Sequence, residues 1–178
     1  LEELFEKSGE NMKLISGYEG FLFEDLKKGE KIVHRLGKTV TYQDNLLFTH
    51  LLLNASPLHF DNEYMQLTEF KKPLLVMTMT YAVVIGIASI DFKNVVEEVE
   101  IRNLKMHSPV FDGDTIHVET EVLDKFEDKE NEKLGIVVLK HKGYKDNFKQ
   151  LVIEFERVVK IFKRKYFPRY MLKTQSFK

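Results

Sequence analysis

No cysteine occurs anywhere in the 178-residue chain, which excludes a disulfide framework, a thiolate zinc site, an iron–sulfur cluster and a cysteine nucleophile together. Charge of one sign is also lacking, since 27 Lys and Arg stand against 28 Asp and Glu for a net charge of −1. Without a basic field there is little to drive counterion release from a phosphate backbone, so nucleic acid is not an expected partner and any anionic ligand has to be met locally. The longest apolar run, Leu74 to Ile90, is 17 residues and is interrupted by Thr78, Thr80, Tyr81 and Ser89. That is short of the roughly 20 residues that span a bilayer, so it reads as a buried helix and no membrane association is expected. The first ten residues carry four acids and one Lys, unlike the basic start of an export signal. A cytoplasmic protein of one domain is the expectation.

The order of elements follows from periodicity and punctuation. Lys31 to Leu36 is a strand candidate closed by Gly37. Thr41 stands three residues before Asp44, a pair resembling a capping box, ahead of apolar residues at helical spacing, Leu47 with Leu51 and Phe48 with Leu52. This helix should end near Asn54, with Pro57 enforcing a loop over Ala55 to Asp61 and a short helix over Asn62 to Leu67. Pro73 reads as first-turn proline of the apolar helix that follows, which should be buried on most sides. From Val95 the period changes to two, most clearly where Ile116, Val118, Thr120 and Val122 alternate with polar residues. Strands over Val96 to Met106, Leu134 to Lys142 and Leu151 to Phe162 flank that one, and short connections predict a meander of antiparallel neighbours. A long antiparallel sheet curled around one apolar helix is the economical way to bury both, an α+β hot-dog arrangement. The exposed edge and face of such a unit predict a homodimer or a higher homo-oligomer.

Most catalytic signatures are missing. The six His, at 34, 50, 59, 107, 117 and 141, include no HxxxH pair with a carboxylate partner, so no metal is expected, and neither a GxSxG elbow nor a glycine-rich phosphate loop occurs. What remains is Asn54 to Asp61, NASPLHFD, an amide, a hydroxyl, an imidazole and a carboxylate within eight residues. Taken by residue type alone, Asn54 reads equally as a helix C-cap, Ser56 as a turn residue, Asp61 as the N-cap of the next helix and His59 as a hydrogen-bonded loop histidine. His59 has the intrinsic acidity for proton transfer. His50, His107, His117 and His141 lie within regular elements and read as structural.

The segment Thr39 to Met65, TVTYQDNLLFTHLLLNASPLHFDNEYM, resembles the signature of the MaoC-like, (R)-specific enoyl-CoA hydratase family, whose helix runs into an Asp-x-Asn-Pro-Leu-His loop. FKKPLLVMTMTYAVVIG resembles that family's central helix and SPVFDGDTIHVETEVLD its following hairpin. The likeness covers roughly residues 20 to 162 and looks closer to the mesaconyl-CoA hydratase-like branch than to the short-chain polyester-precursor enzymes. It implies a lyase that reversibly adds water to a 2-enoyl thioester of coenzyme A, with that thioester as substrate and no cofactor. His59 matches the family His and would carry the proton transfer, while the family Asp falls on Asn54 and the family Asn on Ser56. Asn54 can orient a water but, as an amide, cannot accept its proton, which leaves Asp61 as the orienting or second carboxylate. The oxyanion would be met by the Met77 N–H at the start of the central helix, where the family has Gly, preceded by Val76 where it has His or Asn.

Two further readings stay open on the same residues. The chain could be a non-catalytic acyl-CoA-binding module or an acyl-CoA thioesterase. Lys71 and Lys72, before Pro73, could meet coenzyme A phosphates or simply be solvated. The organisation expected is an acidic extension over 1–19, a hot-dog domain over 20–162, and a tail over 163–178. That tail has six basic residues and aromatic ones at Tyr166, Phe167, Tyr170 and Phe177, and should dock on the body or a neighbouring subunit.

Overall fold

The period-two alternation from Val95 onward forms four long strands in the computed structural model, which describes residues 20–168. They are β3 (Val95–Met106), β4 (Thr115–Glu127), β5 (Leu134–Lys145) and β6 (Gln150–Phe162), joined by the short β1 (Lys31–Val33) and β2 (Lys38–Thr39). The alternation in β4 sends Ile116, Val118, Thr120 and Val122 inward. Three α-helices, α1 (Tyr42–Leu51), α2 (Asn62–Gln66) and α3 (Met77–Ser89), and three single-turn 3₁₀ helices complete the described elements. The sheet is antiparallel throughout, wraps one face around α3, and has the order β1-β4-β5-β6-β3 with β2 on β4. This is the expected α+β hot-dog arrangement. The expected extension over 1–19 and the tail beyond 168 lie outside the described residues.

The strand order corrects the expected meander. β4, β5 and β6 follow one another, but β3 pairs with β6 at the far edge and not with β4. At about 4.8 Å per strand the gap of three strands is about 14 Å, and the eight residues 107–114 span it easily at roughly 3.3 Å each. They cross at one end of the sheet, where Met106 pairs with Ile153, Ile153 with Gly143 and Gly143 with Val118. α3 lies close to the sheet there. A Cβ built on Gly143 would stand 2.7 Å from Val84 Cγ2 and 2.9 Å from Ile153 Cγ2, so only glycine permits this approach.

The apolar run also behaves differently from its pattern. Pro73 is not in the first turn, because helix α3 begins only at Met77. The N–H groups of the intervening residues are captured by tertiary partners, Leu74 by Leu58 O at 3.0 Å, Leu75 by Val110 O at 2.8 Å and Val76 by Asn45 Oδ1 at 2.9 Å. Helix α3 is, as expected, buried or half-buried over most of its surface: Met79, Thr80, Val84, Ile87 and Ala88 are buried, Tyr81, Ala82, Val83 and Ile85 half-buried, and Met77, Thr78, Gly86 and Ser89 exposed. β1 stops at Val33, short of Leu36, as the His34 side chain turns into the core.

His34 opens a chain of polar groups through the interior. Its Nδ1 lies 2.5 Å from Asp91 Oδ2 and its Nε2 2.7 Å from Thr120 Oγ1, which in turn lies 2.7 Å from His141 Nδ1. Arg157 Nη1 stands 3.4 Å from His141 Nε2, and its guanidinium is paired with Glu98. An arginine only donates. His141 therefore accepts at Nε2 and donates from Nδ1 to Thr120, whose hydroxyl donates to His34, whose Nδ1–H donates to Asp91. Every member is satisfied when both imidazoles are neutral. Burial, followed by the charge of Arg157, holds the pKa of His141 well below its ordinary value, favouring the neutral ring.

The start of the basic tail docks on the body. Lys163 donates to Lys133 O at 3.0 Å, the Arg164 N–H to Glu24 Oε2 at 2.9 Å, and the Arg164 guanidinium pairs with Asp25. Among the described residues no helix is long and apolar enough to cross a membrane.

Candidate active site

Helix α1 begins as its sequence dictates. Thr41 Oγ1 accepts from Asp44 N and Asp44 Oδ2 accepts from Thr41 N, each at 3.1 Å, a reciprocal capping box with Asp in place of Glu. The Tyr42 N–H donates to Asp112 Oδ1 at 2.8 Å, tying the helix start to the 107–114 crossing. At the other end Leu53 (φ 54°) adopts the left-handed conformation, with its N–H on His50 O and that of Asn54 on Thr49 O, both at 3.0 Å. These two bonds form a Schellman motif. The left-handed cap is thus Leu53 and not Asn54.

Asn54 does something else. Its Oδ1 accepts from Ser56 N at 2.9 Å, closing a local turn that delivers Pro57–His59 as a 3₁₀ turn. Asp61 caps α2, its Oδ1 accepting from Tyr64 N at 2.9 Å. His59 Nδ1 lies 3.0 Å from the carbonyl oxygen of Leu74. A carbonyl only accepts, so Nδ1 carries the hydrogen and Nε2 is left with a free lone pair, the form required of a base.

Asn45 holds this arrangement together. Its side chain, on the inner face of α1 and 2% exposed, donates from Nδ2 to His59 O at 2.8 Å and to Leu74 O at 3.0 Å, and accepts at Oδ1 from Val76 N at 2.9 Å. One amide therefore fixes the His59 turn, its carbonyl partner Leu74 and the N-cap of α3. The signal in sequence was the DN pair already part of the family-like motif; the buried residues of α1 are the polar Asn45 and Thr49, while Leu47 and Leu51 are exposed.

A cavity of about 300 Å³ opens beside this staple. His59, Met77, His107 and Ser108 line it together with apolar residues such as Phe70, Leu75 and Val110. Asn54, Ser56, Asp61, Val76, Lys71 and Lys72 do not. Val76 is buried as the cap beneath the helix start. Lys71 Nζ donates to Gln66 O at 2.7 Å and Lys72 sits 4.4 Å over the Phe111 ring. Both precede the first turn of α3 by several residues, so they do not flank its N-terminus as the position of Pro73 had implied. At that N-terminus the Met79 and Thr80 N–H groups both reach Val76 O, while the Met77 and Thr78 N–H groups meet no acceptor among the described residues. Met77 thus presents an unpaired donor and the positive end of a 13-residue helix dipole at the cavity wall. His107, read from sequence as part of a strand, lies one residue beyond β3 and lines the same cavity as His59.

Residues 25–145 match the family model described as MaoC like domain. The chain therefore belongs to the MaoC-like dehydratase family. A β-methylmalyl-CoA dehydratase from Chloroflexus aurantiacus is 25% identical over 146 residues, 82% of this chain and 41% of that protein, so the chain spans about two fifths of this curated relative. A solved structure called a monoamine oxidase regulatory protein, from Archaeoglobus fulgidus, is 30% identical with a TM-score of 0.71, covering 81% of this chain and 95% of that one. An (R)-hydratase from A. caviae involved in PHA biosynthesis is 25% identical with a TM-score of 0.65, covering 78% and 98%.

Proposed function

We propose that this protein is an acyl-CoA hydratase/dehydratase that reversibly adds water to a 2-enoyl-CoA thioester in the cavity between His59 and the N-terminus of α3. The observation that carries the reading is the fixed tautomer of His59. With Nδ1–H spent on Leu74 O, Nε2 is the ring nitrogen left to act as a base, and Met77, whose N–H meets no acceptor among the described residues, lines the same cavity. His59 takes a proton from water as its oxygen bonds C3, and charge developing on the thioester oxygen is met by the Met77 N–H and the helix dipole. Asn54 and Asp61 act here through the turns they close, Ser56 as the backbone donor in the first of those turns, and Val76 as the N-cap behind the donor. Phosphates of the coenzyme fall to Lys71 and Lys72. The unit is a homodimer or a larger homo-oligomer in this reading. Edge strand β3 has one neighbour among the described strands and exposes Val96, Val99, Ile101, Leu104 and Met106.

The test is loss of enoyl-thioester absorbance with crotonyl-CoA and mesaconyl-CoA, and its reverse with β-methylmalyl-CoA. His59→Ala should lower kcat roughly 10²–10⁴-fold, the range of one acid/base group. Absence of turnover of every thioester refutes the reading. One observation favours a non-catalytic acyl-CoA-binding protein: the residue at the family Asp is an amide whose oxygen is already spent in a turn. Thermal stabilisation by acyl-CoA without turnover would select that alternative, and release of free thiol would select a thioesterase.

A further inference from the structure

Hydration needs a base and an oxyanion donor at fixed positions around one thioester, and here the two belong to separate elements. His59 comes from the 3₁₀ turn after α1, and the Met77 N–H from the start of α3. Asn45 of α1 reaches both, although its buried side chain lines no part of the cavity. Its hydrogen-bonding capacity is wholly spent. Nδ2 donates both hydrogens, to His59 O at 2.8 Å and Leu74 O at 3.0 Å, and Oδ1 accepts from Val76 N at 2.9 Å and, at a longer 3.5 Å, from Thr49 Oγ1. Nothing remains on it for a substrate, so any part it takes in the reaction runs through the groups it holds. Those groups adjoin the chemistry. His59 O is the backbone of the base itself, Leu74 O is the carbonyl on which the His59 Nδ1–H is spent, and Val76 is the N-cap one residue before Met77. Three residues earlier on α1, the Tyr42 hydroxyl donates to Phe60 O at 3.1 Å. That hydroxyl grips the turn alone, whereas Asn45 grips the turn and the helix start together.

We propose that Asn45 is a positioning residue of this site, holding the His59 base and the Met77 donor in register for one thioester, and this rests on the hydratase reading. A 3₁₀ turn of three residues and a helix N-terminus have few bonds of their own to resist a shift. Without the amide, the His59 turn keeps its ring on Leu74 O and Leu58 O on the Leu74 N–H, while the start of α3 loses the acceptor of Val76 N. Base and donor can then drift by fractions of an ångström relative to each other. Reaction rate is sensitive to such drift, since a misplacement of about 1 Å costs up to about 100-fold. Substrate affinity is less sensitive, because the walls of the cavity are formed by other side chains, Phe70, Leu75 and Val110 among them.

The experiment is steady-state hydration of the preferred enoyl-CoA by the full chain as wild type, Asn45→Ala and Thr120→Val, each assayed well below its own thermal midpoint. Thr120→Val is the control for lost stability, because it strands hydrogen-bonding groups of His34 and His141 in the core and Thr120 does not line the cavity. Asn45→Ala should lower kcat by about 10–100-fold and keep KM within about threefold. Thr120→Val should keep kcat within about threefold of wild type. In a His59→Gln background the further loss from Asn45→Ala should be smaller than in wild type, since part of what Asn45 positions is then gone. Asn45→Asp, of the same shape, takes the place of Asn45→Ala should that variant not fold. It should lose kcat by about 10-fold, because its carboxyl group donates at most one hydrogen where the amide gave two. An Asn45→Ala kcat near wild type, or a loss matched by Thr120→Val, overturns the proposal and leaves the hydratase reading standing. A loss of equal size with and without His59, or a change confined to KM, does the same. A wild type inert toward all enoyl thioesters overturns both.

Discussion

Replacing Asn45 by Ala removes the side chain that three site segments share. Three short hydrogen bonds go, to His59 O at 2.8 Å, to Leu74 O at 3.0 Å and from Val76 N at 2.9 Å, together with a long one from Thr49 Oγ1 at 3.5 Å. Leu74 O retains His59 Nδ1, but the Val76 N–H is left buried without an acceptor. A stranded buried donor costs about 1–3 kcal/mol and each of the other two bonds about 1 kcal/mol, so the expected loss is about 3–5 kcal/mol. At roughly 2–4 °C per kcal/mol for a chain of this size, the thermal midpoint should fall by about 6–20 °C. Urea unfolding of wild type and variant measures the difference directly. Asn45→Asp sharpens the test, because it keeps the acceptor for Val76 N and turns a carboxylate toward two carbonyl oxygens. Burial and those carbonyls raise the folded-state pKa of that Asp above its unfolded value, so the unfolded state binds fewer protons and stability relative to wild type declines as pH rises. The deficit of Asn45→Asp should therefore be larger at pH 7 than at pH 5. A loss below about 1 kcal/mol for Asn45→Ala, or a pH dependence of opposite sign for Asn45→Asp, refutes the assignment of Asn45 as the staple of the site.

The remaining predictions concern packing, capping and the buried polar chain. Gly143→Ala forces a Cβ to 2.7 Å from Val84 Cγ2 and should cost about 1–3 kcal/mol as overpacking; an unchanged midpoint refutes the close approach of α3. Leu53→Gly relieves a left-handed φ of 54° at a residue 91% exposed and should stabilise by about 0.5–1 kcal/mol, whereas destabilisation would show that Leu53 is held by a contact absent from the described chain. Thr120→Val, nearly the same shape, strands His141 Nδ1–H and His34 Nε2 in the core and should cost about 2–4 kcal/mol in a denaturant melt. The lowered folded-state pKa of His141 means the unfolded chain binds more protons below the ordinary histidine value of about 6.5. Stability should be fully present above that pH and be lost as pH falls from there toward the folded value; urea melts that stay constant across this window refute a neutral buried His141.

Much of the architecture was legible because it is written locally. The alternation of Ile116, Val118, Thr120 and Val122 specifies one buried face whatever the neighbouring strands are, and Thr41 with Asp44 marks a helix start within four residues. The order of strands was not legible, since a short connection is equally compatible with a hairpin and with a crossing over the sheet end. The start of α3 was missed for a related reason. Leu74, Leu75 and Val76 are apolar enough to be helical, but their N–H groups are taken by Leu58, Val110 and Asn45 from elsewhere in the chain.

The site divides along the same line. His59 stands out from its loop by residue type and by family likeness. What Asn54, Ser56 and Asp61 do depends on whether their polar atoms are spent on turns and caps, and only backbone geometry decides that. His107 looked like one more strand residue until residues 107–114 were seen to cross the end of the sheet. That path brings residue 107 to the wall of the cavity of His59, about fifty positions away in the chain, while its ring contacts Glu154. By itself the sequence determined a Cys-free, charge-balanced α+β domain and singled out the loop of His59, because composition, periodicity and local motifs are properties of neighbouring residues. Tertiary structure decided which ring nitrogen of His59 is engaged and which helix start lines its cavity, because those depend on contacts between segments far apart along the chain.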